Sequence, residues 1–118
     1  MTTTLCNPSR VPQHNLGIVR RQDGDGVLFP VVNASNVPVD MTGWTGQAQV
    51  RETYDGDLID SLTVSCDNTG VLVTWTGAQT DLWPAFTWGV WDLEVTSPQG
   101  KVTRLVEGKV YLSSGVIR

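Results

Sequence analysis

Apolar and polar residues alternate with a period of two through much of the chain. Trp44, Gly46, Ala48 and Val50 share one side of a stretch over 44–53, and Thr45, Gln47, Gln49 and Arg51 share the other. That is the pattern of a β-strand buried on one face. The same alternation puts Val71, Val73 and Trp75 together over 71–76. Over 86–95 it puts Trp91, Leu93 and Val95 opposite Asp92 and Glu94. Further strands are predicted over 16–21, 27–32, 58–65 and 102–112. Gly108 is expected to form a bulge in the last of these. Pro30 lacks a backbone N–H, which predicts an edge or a bulge for the strand over 27–32.

Turn chemistry separates these runs. Gly24 and Gly26 suit the turn over 22–26, Asp55-Gly56 is a hairpin signal, and Pro98 takes the second position of a turn over 97–100. Further turns are predicted over 33–36 and 67–70. Residues 77–83 read as a single helical turn that Pro84 stops. Residues 1–15 are polar and irregular, with Pro8 and Pro12 breaking any helix. The predicted fold is all-β: an immunoglobulin-like antiparallel β-sandwich of about seven strands over 16–113, carrying an extended N-terminal arm (1–15) and a short C-terminal tail (114–118). A length of 118 residues suits one such domain.

Composition narrows the partners. Eight basic residues stand against twelve acidic ones, a formal charge of −4. An acidic chain with only Lys101 and Lys109 as lysines lacks the field that nucleic acid or an anionic membrane requires. No apolar run reaches the ~18 residues of a membrane span. The first eight residues have no basic and apolar signal pattern, so no signal peptide is expected. Cys6 and Cys66 are too few for a disulfide scaffold and have no metal-site spacing, so two reduced thiols are expected.

Candidate chemistry is sparse, and neither enzymatic activity nor a cofactor is expected. His14 is the single histidine. A Cys6–His14 dyad would need rigid supports and an orienting third group, which an arm does not offer. Asp23-Gly24-Asp25-Gly26 resembles the start of a calcium loop, but the twelfth position holds Ala34 rather than a closing glutamate. It reads as a plain turn, as does Asp55-Gly56-Asp57. Asn33-Ala34-Ser35 fits a glycosylation acceptor only by coincidence when no secretory signal is expected. The five tryptophans are the unusual feature. Trp44, Trp75 and Trp91 are assigned to the core. Trp83 and Trp88 are core-rim residues by default, or else anchors in a protein interface.

The order of the motifs carries a resemblance. Val37-Pro-Val-Asp-Met-Thr-Gly-Trp44 is followed by Gln47-Ala-Gln-Val-Arg51, Tyr54-Asp-Gly56 and Asp67-Asn-Thr-Gly70. Trp91-Asp-Leu-Glu-Val95, Gln99-Gly-Lys-Val-Thr-Arg-Leu105 and Glu107-Gly-Lys-Val110 complete the series. Over roughly residues 16–113 this resembles small β-sandwich proteins of tailed bacteriophages and prophages. In layout it is similar to the N-terminal domain of phage upper baseplate proteins, with Met41 where that pattern has leucine. The resemblance implies a non-enzymatic structural protein of the virion, an adaptor in the tail, baseplate or fibre network. Its partners would be other virion proteins and copies of itself. Leu5, Arg10 and Val11 of the arm, Trp83, Trp88, and Val116, Ile117 and Arg118 are the expected contact residues. A capsid decoration or neck protein is the nearest alternative. A carbohydrate-binding module for host attachment is the other, and it requires Trp83 and Trp88 exposed on one flat patch.

Overall fold

The computed structural model describes residues 2–3, 12–23, 26–84 and 88–113. Seven strands build the body: β2 (Leu16–Val19), β3 (Gly26–Phe29), β4 (Thr45–Arg51), β5 (Leu58–Asp67), β6 (Gly70–Thr74), β7 (Trp88–Thr96) and β8 (Val102–Ser113). A two-residue strand, β1 (Thr2–Thr3), adds to the edge beside β3, and one short helix, α1 (Gly77–Asp81), links β6 to β7. The strands form one curled sheet in the order β1-β3-β6-β5-β4-β7-β8-β2. The protein is all-β, as the alternation predicts.

The long strand β5 makes the curl. As far as Leu62 it pairs with β4, and from Thr63 to Asp67 it pairs with β6. Strands on either side of it are thereby brought face to face. Phe29 of β3 meets Trp91 of β7 with ring centroids 5.8 Å apart. The core between them holds Ala48, Val50, Val71, Val73, Trp75, Leu93 and Val95, the alternating sets of the sequence pattern. Trp44 is half-buried and packs against that core.

The sheet is mixed rather than antiparallel throughout. Five ladders are antiparallel, but β2 runs parallel to β8 and β1 parallel to β3. Neighbours joined by a short turn must reverse direction. No short turn joins β2 to β8, so nothing local dictates how they run. Pro30 ends β3 one residue earlier, and beyond it Val31 and Asn33 hydrogen-bond to the 37–39 segment, with Val32 bridged to Pro38. The bulge of β8 is not at Gly108. Leu93 pairs with Val106 while Glu94 pairs with Arg104, which leaves Leu105 as the extra residue. Leu105 and Val106 are consequently both buried. Gly108 pairs regularly with Trp91 and has a different task. A Cβ there would collide with the carbonyl of His14. The glycine lets 12–15 lie against β8, where His14 N–H donates to the Glu107 carbonyl (2.9 Å) and Glu107 N–H to the Pro12 carbonyl (3.2 Å).

Helix α1 has a cap at each end. The Thr76 hydroxyl accepts from Gln79 N–H (3.1 Å), and the Gln79 side chain accepts from Thr76 N–H (3.4 Å). This is a reciprocal N-terminal box. Gly77 N–H donates to the Asp23 carboxylate (2.6 Å), so an aspartate of the turn after β2 caps the helix. At the other end the Arg20 guanidinium donates to the carbonyls of Thr80, Asp81 and Trp83 at 3.0–3.3 Å. The turn after β2 therefore grips both ends of α1. Arg21 in that turn adopts φ of 69°, a left-handed conformation that a side chain disfavours. Its N–H donates to the buried Thr80 hydroxyl at 3.0 Å.

Arg20→Ala removes three charge-assisted bonds from the last turn of α1, and the expected loss is about 2 kcal/mol in chemical denaturation. An unchanged unfolding midpoint would refute the clamp. Gly108→Ala is expected to cost about 2–3 kcal/mol by forcing 12–15 off β8. Hydrogen exchange should then show the His14 amide unprotected while the β4–β7 amides stay protected.

Candidate functional surface

Of the contact residues singled out from sequence, Trp83 and Trp88 fall among the described residues. Leu5, Arg10, Val11, Val116, Ile117 and Arg118, with Cys6, lie outside the described residues. Trp83 is buried (5% exposed), and its indole N–H donates to the Asp60 carboxylate at 2.8 Å. That burial removes it as an anchor for another chain, because it follows α1 into the core. Trp88 is half exposed (54%) and packs on Tyr111 with ring centroids 5.1 Å apart and planes tilted by 55°. Trp83 and Trp88 therefore do not form the flat stacking patch that a sugar platform requires.

The nucleophile and metal candidates are placed as follows. Burial and the neighbouring Asp67 carboxylate push the half-buried Cys66 thiol above its ordinary pKa, which disfavours the reactive thiolate. Among the described residues no group of three or more His, Cys, Asp or Glu is placed to hold a metal ion. His14 is held firmly. Its ring meets Phe29 edge to face at 5.3 Å, and its carbonyl accepts from the Trp91 indole N–H at 2.8 Å. Desolvation lowers its pKa from the ordinary value. Asp40 and Asp67 cap their own loops, and both pKa values are lowered first by a hydrogen bond from the side chain of the threonine two residues on (Thr42, Thr69) and then by that residue's N–H, which donates at 2.9 Å and 2.8 Å.

The outward face of β4, β7 and β8 gathers the groups that sequence reading left scattered. Its cross-strand rows follow from the register. Trp88 stands beside Tyr111. Val90 stands between Arg51 and Lys109, and Asp92 between Gln49 and Glu107. Glu94 stands between Gln47 and Arg104, and Thr96 between Thr45 and Val102. Arg104 bridges Asp92 and Glu107 at 3.8 Å each. Such loose, solvent-exposed pairs contribute little stability. Tyr111 (41%) and Val102 (60%) are large exposed apolar residues at opposite ends of the face. Two shallow depressions mark it. One of ≈130 Å³ has Arg51, Tyr54, Asp92 and Glu94 in its wall. Another of ≈420 Å³ is bounded by Thr45, Gly46, Gln47, Glu94, Thr96 and Val102. A third depression, ≈150 Å³ and walled largely by Val31, Val39, Met41, Trp44, Val95 and Leu105, opens at the end of the core.

No protein-family model matches the chain, and no curated protein matches it either.

The lowered His14 pKa sets a pH dependence. The folded state binds fewer protons at this ring than the unfolded chain, whose value is near 6.5. Its effect on stability is absent at alkaline pH, begins as pH falls through that unfolded value, and is complete below the folded one. Denaturation midpoints at about pH 8 and about pH 5 should therefore differ more for the wild type than for His14→Phe, which keeps the ring contact without the titration. Equal shifts would refute a role for His14.

Proposed function

We propose that this chain is a non-enzymatic structural subunit of a tailed-phage virion, an immunoglobulin-like sandwich acting as an adaptor in the tail, baseplate or fibre network. The strand order supports the sandwich part of this reading, and the motif series quoted from the sequence supports the virion part. The sequence β1-β3-β6-β5 followed by β4-β7-β8 follows the ABED and CFG sheets of immunoglobulin-like domains. The curl through β5 joins the two layers. The motifs behind the resemblance lie at strands and turns of the sheet. Val37 to Trp44 leads into β4, Asp67 to Gly70 makes the β5–β6 turn, and Trp91 to Val95 pairs with the β8 segment that ends the series.

The charge pattern favours protein partners. A molecule of −4 with few lysines repels nucleic acid and presents polar, weakly charged sheet faces. Subunits of a symmetric particle use such faces repeatedly, so modest contacts become strong in sum.

Immunogold labelling of purified particles, with antibody raised against the full chain, tests the reading. Label at the tail or baseplate is expected. Label over the head lattice would replace the tail location with capsid decoration. Particles without label would overturn the virion assignment.

A further inference from the structure

We propose that the outward face of β4, β7 and β8 is the surface by which two copies of this chain pair. The inference deepens the assembly reading and rests on it only for self-association. The face carries three basic residues, Arg51, Arg104 and Lys109, and three acidic ones, Asp92, Glu94 and Glu107. It is neutral, on a chain whose total is −4. Two copies repel through the rest of their surfaces and not through this one.

The rows are also ordered so that the face complements itself. Basic Lys109 and Arg51 flank Val90, and the next row is acidic, with Asp92 and Glu107. A twofold axis running across the strands between these two rows sets each row of one copy against the other row of its mate. Strand then lies over like strand, and every contact between the copies occurs twice, as in any isologous interface. Lys109 comes over Glu107 of the second copy, and Arg51 comes beside its Asp92. One row further out, Tyr111 comes over Arg104, a cation on an aromatic face. Trp88 comes over Glu94, at the wall of the ≈420 Å³ depression that reaches Thr96 and Val102. The exposed tryptophan of one copy thus meets a concavity on the other. An aromatic anchor opposite a depression, surrounded by complementary charges, is the anatomy of an energetic centre in an interface. An axis running along the strands would instead lay Lys109 toward Arg51, like charge on like.

Sedimentation velocity of the purified full chain over a wide concentration range tests the pairing. A monomer–dimer equilibrium is expected, and Trp88→Ser should raise the dimer dissociation constant by roughly 30-fold. Lys109→Glu and Glu107→Lys should each weaken self-association alone, whereas an equimolar mixture of the two should recover dimer through restored opposite charges. Circular dichroism checks that each variant keeps the β spectrum. A wild type that stays monomeric overturns the proposal. So does a dimer untouched by Trp88→Ser, or a mixture that associates no better than its components. None of these outcomes bears on the gold label at the tail, so failure of the pairing is distinguishable from failure of the virion reading.

Discussion

The surroundings of Trp91 constrain everything else in this fold. Its ring lies in the core against Phe29, from the opposite side of the curl. Its indole N–H, which would be costly to bury unpaired, donates to the His14 carbonyl. That bond requires the chain at His14 to press close to β8, and the residue paired with Trp91 there is glycine. One side chain therefore ties the two halves of the sheet to the segment that precedes β2. Because that segment lies beside β8, β2 continues from it alongside the same strand and must run parallel to it. The mixed character of the sheet follows from this anchoring rather than from any turn.

The other long connection is controlled from the same end of the chain. Strand β6 must cross to β7, in the other half of the curled sheet, and α1 makes the crossing. A five-residue helix has little stability of its own, because nucleating a helix costs more than one turn returns. The chain supplies the missing free energy from the turn after β2. Asp23 caps one end, Arg20 the other, and Thr80 is buried between them. Arg21 accepts a disfavoured φ to make that fit, which is how local strain is tolerated where surrounding contacts over-determine the backbone. Trp83, delivered by the helix, then buries its ring and donates to Asp60 on β5.

Much of the body was legible in the sequence because each strand buries one face. Period-two alternation identifies Ala48 and Val50, Val71 and Val73, and Leu93 and Val95 without reference to any partner strand. The helical turn predicted over 77–83 from its length and the proline that follows is found as α1, two residues shorter at its end. What escaped depends on residues far apart in the chain. A glycine within a strand signals either a bulge or a close backbone approach. Gly108 is the second case, and only His14, outside the strand, decides it. The true bulge at Leu105 carries no glycine, and it shifts the alternation of β8 in mid-strand. Val102 and Arg104 face outward on one side of it, Lys109 and Tyr111 on the other, so no single period across 102–113 finds them all. Trp83 stayed open between core rim and interface because Asp60, which accepts from its indole N–H, lies on β5 and in no motif with it.

The same bulge shapes the outer surface. Without an extra residue at Leu105, Arg104 would point into the core and Leu105 to solvent, since the side-chain period is two. With it, Arg104 stands beside Glu94 and reaches Asp92 and Glu107, while Leu105 and Val106 both fill the interior. An irregularity in one strand thereby does two things at once. It gives the core an additional apolar side chain, and it places a cation on a surface that would otherwise carry acids through its middle rows. The neutrality of this face, on an acidic protein, is thus a consequence of strand geometry as much as of composition.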